Sequence, residues 1–208
     1  AHSDDDGLVL PPKIAPLQVA IIPIYKGIEQ KDSIDEMALR IKGELQKAGV
    51  RVIYDKDDST RPGWKFAEYE LKGVPVRIVM GTRDLEQNQV EVSRRDTHEK
   101  VYLSLNDLSK NIQTLLEDIQ KKIFEKARIY RDEHITRVDD FKTFEKVLDE
   151  QGGFVSAHWD GTAEAENKIK ELTKATIRCI PLNNPQEDGK CILTGKPSKE
   201  RVLFARAY

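Results

Sequence analysis

Residues 81–100 gather the side chains best suited to recognition chemistry. Gly81-Thr82-Arg83-Asp84-Leu85-Glu86 reads as a glycine-led loop of mixed charge, followed by Gln89 and then Arg94-Arg95. An arginine fork matches the O6 and N7 acceptors of guanine. A carboxylate such as Glu86 accepts from guanine N1–H and N2–H2, an edge that only an unpaired base exposes. Arginine and carboxylate together are therefore what a reader of single-stranded bases needs. The competing reading is a surface hairpin whose charges are merely solvated or paired. The segment 107–131 adds a second basic surface, with Lys110, Lys121, Lys122, Lys126, Arg128 and Arg131 against Glu117, Asp118 and Glu125. That surplus suits a phosphate backbone and equally a hydrated helix.

Other chemistries lack their motifs. There is no glycine-rich dinucleotide fingerprint and no P-loop lysine motif, and the turn Pro23-Ile24-Tyr25-Lys26-Gly27 carries a single glycine. There is no Gly-x-Ser-x-Gly nucleophile elbow. His2, His98, His134 and His158 stand alone, without the spacing of a metalloprotease. Asp4-Asp5-Asp6 fits a solvated loop better than a cation site. Cys179 and Cys191 are too few for a disulfide framework, so reduced thiols in a cytosolic protein are expected.

The elements that must position these residues are legible from pattern. The chain has 208 residues, 38% apolar and 34% charged, with a formal charge of −2. Such a composition gives modest cores, a wet surface and no global attraction to nucleic acid. No apolar run approaches the roughly 20 residues of a bilayer span, and the acidic start is no signal peptide. Residues 1–16, with Pro11-Pro12 and no initial Met, read as the end of a preceding domain plus a linker. Val19-Ala20-Ile21-Ile22 predicts a strand buried on both faces. Ser33 and Glu36, at capping-box spacing, predict a helix stopped by Gly49. Strands are expected over 50–54 and 74–80, with a helix over 63–72 between them. This alternation requires crossovers and a parallel sheet. Gln89–Arg94 and Lys100–Ser104 then form a hairpin, which adds antiparallel strands. The expectation is an α/β fold with a mixed five-stranded sheet and flanking helices over 17–105. A long amphipathic helix follows over 107–131, with apolar residues at spacings of three and four from Leu108 to Tyr130. Beyond it a smaller α/β unit is expected: helices near 141–148 and 161–173, strands at 154–159, 175–180 and 202–205.

A resemblance sharpens the reading. His2-Ser3-Asp4-Asp5-Asp6-Gly7-Leu8-Val9-Leu10-Pro11-Pro12, Arg61-Pro62-Gly63-Trp64-Lys65-Phe66, Glu70-Leu71-Lys72-Gly73-Val74-Pro75-Val76-Arg77, Gly81-Thr82-Arg83-Asp84-Leu85, Cys179-Ile180-Pro181 and Val202-Leu203-Phe204-Ala205-Arg206-Ala207-Tyr208 run in one order. The chain resembles the prolyl-tRNA synthetases of the archaeal/eukaryotic type, class II aminoacyl-tRNA synthetases, over essentially its whole length.

The resemblance implies a C-terminal fragment that lacks the catalytic core. The ATP and proline pockets would lie upstream, so ATP with Mg belongs to the longer, dimeric, cytoplasmic ligase, and the fragment alone would be inactive. Residues 17–105 would be the anticodon-binding domain and 106–208 the additional C-terminal domain. The partner would be the tRNA for proline, its guanines read by Glu86 and Arg94 with Arg83, Asp84 and Arg95 as neighbours. Tyr208 would reach toward the absent active site. The positions matching a family zinc site are Asp160, Ala165, Cys191 and Thr194, of which only Cys191 is a cysteine. No zinc is expected there, and Cys179 is expected to be a packed thiol beside Pro181. Two alternatives stay open: a free-standing tRNA-binding accessory protein, and a small-molecule enzyme on a flavodoxin-like sheet.

Overall fold

A computed structural model describes residues 2–207, so Tyr208 lies outside the described residues. The chain divides into two compact units, Ala1–Glu125 and Lys126–Tyr208.

The first unit opens with a two-stranded ribbon, β1 (Ser3–Asp4) and β2 (Gly7–Leu8). Then come β3 (Val19–Ile24), α1 (Ile28–Lys47), β4 (Val52–Tyr54), α2 (Pro62–Leu71) and β5 (Val76–Gly81). A short helix, α3 (Thr82–Glu86), precedes β6 (Gln89–Arg94) and β7 (Lys100–Ser104). The helix α4 (Leu108–Glu133) follows, and its part up to Glu125 belongs to this unit. The sheet runs β4-β3-β5-β6-β7. β3 pairs in parallel with β4 and β5, while β5, β6 and β7 pair antiparallel. The mixed five-stranded sheet is thus as the alternation of elements requires.

Alternation along β3 sends side chains to two cores. Val19 and Ile21 pack with Ile34, Ala38, Ile41 and Leu45 of α1 and with Leu108, Ile112, Leu116 and Ile119 of α4. Ala20 and Ile22 face the other way, against Tyr69 and Val74, with Phe66 beside them. Each fully buried Ile or Leu contributes about 1.5–3 kcal/mol, so the apolar stripe of α4 belongs energetically to this sheet.

The structure corrects two readings of this unit. The helix after β3 begins at Ile28, with Gly27 as an extended N-cap. Ser33 lies inside it and donates its hydroxyl to the Gln30 carbonyl (3.1 Å), so the Ser33–Glu36 spacing caps nothing. Residues 82–86 are a helical turn rather than a loop. The N-terminal ribbon is bound tightly to the unit. A Cβ at Gly73 (φ +69°) would stand 2.7 Å from Leu8 Cβ, and one at Gly7 (φ +128°) 2.5 Å from Leu71 Cα. Glycine is required at both, by conformation and by space. Farther along, Arg51 holds the carbonyls of Pro12 (2.8 Å) and Ala15 (2.9 Å).

The second unit holds β8 (Ile135–Arg137), α5 (Phe141–Glu150), β9 (Phe154–His158), α6 (Ala163–Thr173) and β10 (Ala175–Cys179). A small ribbon, β11 (Gly189–Lys190) and β12 (Pro197–Ser198), precedes β13 (Arg201–Arg206). Its sheet runs β10-β13-β9-β8, with β8 parallel to β9 and the other pairs antiparallel. Phe144, Val147, Leu148, Val155, Ile169 and Phe204 form the core. Asp140 caps α5 by accepting from the Thr143 amide (2.8 Å), and Thr162 caps α6. Cys179 is exposed at the end of the edge strand β10, whereas Cys191 is buried. The expectation of a packed Cys179 is therefore reversed.

Glu187 is the polar hub of this unit. It pairs with Arg201 and Arg137 and faces the buried His158 at 3.5 Å. Hydrogen bonding from Arg201, opposed by burial and helped by Arg137, holds its carboxyl down at about 2. A depressed acid stabilises above its ordinary value and loses that stabilisation as pH falls through the native one. Thermal unfolding followed by circular dichroism should show a fall in midpoint between pH 4.5 and about 2. Glu187→Gln should flatten that fall while lowering the midpoint at pH 7.

Candidate nucleic-acid interface

In an open α/β sheet, ligands meet the carboxyl ends of parallel strands where the chain order reverses. Here that point lies between β3 and β5. The crossover from β3 leads to β4 on one side, and the crossover from β4 returns to β5 on the other. The register pairs Ile24 with Gly81, so both strands end together. α3 starts at that spot.

Three interactions set α3. Gly81 is extended (φ −129°, ψ 174°) as N-cap, and the Asp84 carboxylate accepts from the Gly81 amide at 3.0 Å. Leu85 packs against the main core. These fix Arg83 and Glu86, three residues apart, on one face of the turn. Both are exposed, and neither makes an ion pair among the described residues. The Thr82 hydroxyl beside them is buried without a hydrogen-bond partner. A rigid turn thus presents an open guanidinium and an open carboxylate together.

Arg94 and Arg95 are placed differently, and both are buried, 8% and 4% exposed. Arg94 forks onto Asp96 (Nε 2.9 Å, Nη2 2.7 Å) and reaches Asp118 of α4 with Nη1 (2.7 Å). The Asp96 carboxylate, despite burial, holds the Arg94 guanidinium above its ordinary value, and Arg94 in turn holds Asp118 low. Arg95 donates from Nε to the Glu70 carbonyl (3.1 Å) and forks onto Asp4 of β1. That pairing drives the Asp4 carboxyl well below the usual carboxylate range. The space bordered by Glu70, Arg77, Ser93, Arg94 and Arg95 is about 10 Å3, room for about one water. Of the five sequence candidates, α3 brings together Arg83, Asp84 and Glu86. Arg94 and Arg95 instead fasten the hairpin turn to α4 and to the ribbon.

Sequence reasoning passes over Arg77. Its guanidinium lies 4.2 Å above the Phe66 ring and pairs with Glu70 (2.7 Å), while its Nε is buried without a partner. The signal is a cation in the middle of an otherwise apolar strand. The acidic ribbon is also explained, since Asp4 serves Arg95, with His98 3.7 Å away.

No group of three or more metal-ligating side chains gathers among the described residues. At the positions that match a zinc site, the Thr194 hydroxyl donates to Asp160 Oδ2 (2.7 Å), and Asp160 Oδ1 accepts from Thr162 (2.7 Å). Against burial, those bonds hold the Asp160 carboxyl low. Asp160 and Thr194 lie 34 residues apart, and their bond joins the loop after β9 to the turn at Cys191. Thr194→Val should cost about 1 kcal/mol in urea unfolding, with no effect of a chelator.

No helix of the described residues is long and apolar enough to cross a membrane. The family model described as "Anticodon binding domain" matches residues 18–115, and the one described as "Prolyl-tRNA synthetase, C-terminal" matches 141–208. Curated relatives named proline–tRNA ligase match along the whole chain. That of Porphyromonas gingivalis is 58% identical over 208 residues, and that of Christiangramia forsetii 56% over 207. That of Flavobacterium johnsoniae is 53% identical over 207. In each case the alignment takes in 100% of this chain and 42% of the relative, so the chain spans less than half the length of these bacterial ligases. Two family models in order, and more than half of all residues shared from end to end, place the chain in the prolyl-tRNA synthetase family, as its C-terminal region: an anticodon-binding domain followed by the family's C-terminal domain.

Proposed function

We propose that this chain reads the anticodon of the tRNA for proline at the carboxyl edge of its five-stranded sheet. The observation that carries the reading is α3, which holds Arg83 and Glu86 exposed and unpaired on one face at the switch point of a domain of the anticodon-binding family. Arg83 supplies the fork for guanine O6 and N7, and Glu86 accepts from the N1–H and N2–H2 edge. Asp84 positions the turn. Arg94 and Arg95 hold the neighbouring hairpin in place and act on the RNA only through it.

The longer protein, in this reading, is a proline–tRNA ligase of the archaeal/eukaryotic type, a homodimer of the cytoplasm. The motifs shared in one order along the chain support the type, which then names an architecture and not a source, since the relatives are bacterial. Proline, ATP and Mg would be handled by residues outside this chain, with residues 17–105 reading the tRNA and 106–208 supporting them. The zinc-free reading of the C-terminal domain rests on the chemistry of its donor set, one thiol beside an alanine, a threonine and an aspartate.

The test is a binding titration with a stem-loop RNA carrying the proline anticodon and with one carrying a changed anticodon. Arg83→Ala and Glu86→Gln should each weaken the cognate RNA roughly 5- to 150-fold, the equivalent of about 1–3 kcal/mol. Both should narrow the preference between the two RNAs. Unchanged preference in both variants would defeat the reading.

A further inference from the structure

A hollow of about 570 Å3 lies at the amino end of β3, between the connector 12–18 and residues 116–124 of α4. That volume falls within the ~300–1,000 Å3 of small-ligand sites. α3 stands at the other end of the same strand, so the length of β3 puts about 20 Å between the two places.

The walls are set by bonds within the unit. Gln18 spends both ends of its amide, donating to the Pro12 carbonyl (3.1 Å) and accepting from the Arg51 amide (2.9 Å). The Lys13 amide donates to Gln120 Oε1 at 3.0 Å and so ties the connector to α4. Because a backbone N–H only donates, this bond fixes the orientation of the Gln120 amide. Its Nε2 group is left without a partner among the described residues. Pro12 and Leu116 supply a buried apolar floor, and the Phe124 ring lines the hollow while 61% exposed.

The charges around this floor are open. Lys13, Glu117 and Lys121 line the hollow, and none of their side chains has a partner among the described residues. Two cations and one carboxylate sum to a formal charge of +1. A monoanion matches that sum. A phosphate monoester carries about −1.5 to −2 at pH 7 and would set its excess charge against Glu117. A small inorganic anion leaves the apolar floor uncovered, and a neutral apolar molecule leaves both ammonium groups and the Gln120 Nε2 donor idle. A ring suits Phe124, which offers offset or edge contacts.

We propose that this hollow binds an arylalkyl carboxylate. The ring of such an acid lies on Pro12, Leu116 and Phe124, and its carboxylate meets Lys13, Lys121 and the Gln120 Nε2 group. The bound acid joins the connector to α4 and stabilises the first unit by mass action. The site is independent of the anticodon reading.

Titration of the 208-residue chain with 4-phenylbutyrate tests it, followed by amide NMR shifts and by the thermal unfolding midpoint. The acid should bind saturably, move the signals of Lys13, Gln120 and Lys121, leave those of Arg83 and Glu86 in place, and raise the midpoint. 4-Phenylbutanol keeps the ring without the charge, and butyrate keeps the charge without the ring. Each should bind at least about tenfold more weakly than the acid. Lys121→Glu, which turns the charge of the rim from +1 to −1, should weaken the acid about tenfold and leave the alcohol unchanged. Glu117→Gln should tighten the acid about threefold, a gain that no loss of folding could mimic. Phe124→Ser, at an exposed position, should weaken acid and alcohol alike. Three results would overturn the proposal: no saturation up to the solubility limit of the acid, equal binding of acid and alcohol, or unchanged affinity in both Lys121→Glu and Phe124→Ser.

Discussion

Arg94→Ala is expected to destabilise the first unit by about 3–5 kcal/mol, the cost of breaking a buried ion pair by removing one member. The estimate follows from what would be left behind. Asp96 is buried and spends both oxygens on the Arg94 fork, so the variant leaves a desolvated carboxylate with no cation. Asp118 also loses a partner, but it is half-exposed and keeps Lys122 at 3.2 Å, so its share is small. Arg94→Lys should recover part of the loss, because an ammonium keeps the charge and forfeits the bidentate fork. Urea unfolding followed through Trp64, in a Trp159→Phe background, isolates this unit, which holds only the first of the two tryptophans. The affinity of the folded protein for the anticodon stem-loop should stay within about twofold. Full stability with a large loss of RNA affinity would show that Arg94 touches the base itself.

Phe144→Ala should cost the second unit about 3–5 kcal/mol. Phe144 has no exposed surface, and its ring meets the edge of Phe204 at 5.2 Å and 86°. Phe141 stacks beside it at 5.8 Å. This core is small, and native domains hold only about 5–15 kcal/mol in total. The substitution therefore removes a large fraction of what keeps β9 and β13 paired. Phe144→Leu, which refills most of the volume, should cost about 1–2 kcal/mol. Trp159 fluorescence in a Trp64→Phe background reads the transition, and amide exchange at Val155 and Phe204 should accelerate in parallel. A loss below 1 kcal/mol would mean that the site collapses around the truncation and that the ring contact contributes little.

Pattern alone revealed the five-stranded sheet because its signals are local. A run of β-branched residues marks β3, a short polar turn marks the β6–β7 hairpin, and spacing by three and four marks α4. Short elements carry too few residues to show a period. α3 spans five and β8 three, and both were invisible. Ser33 and Glu36 have the right spacing for a cap, yet Gly27 supplies the extended residue at which the helix starts. Cys179 is exposed rather than packed because sequence does not say which strand is at an edge; β10 is, and Cys179 ends it. The candidate site divides in the same way. Arg83 and Glu86 owe their openness to a local turn. Arg95 is buried on Asp4, 91 residues away, and Arg94 joins a local fork on Asp96 to Asp118, 24 residues away. No short window on the sequence joins the distant partners.

The seal between Asp4 and Arg95 bears on how this region can be shortened. A gene trimmed to start at residue 17 would encode every strand of the main sheet, yet it would delete the counter-ion of a guanidinium whose side chain is 2% exposed. It would also strip Leu8 and Gly7 from the end of α2, baring the backbone at Leu71 and Gly73. The smallest autonomous version of this module therefore keeps its first eight residues, however distant they look on paper.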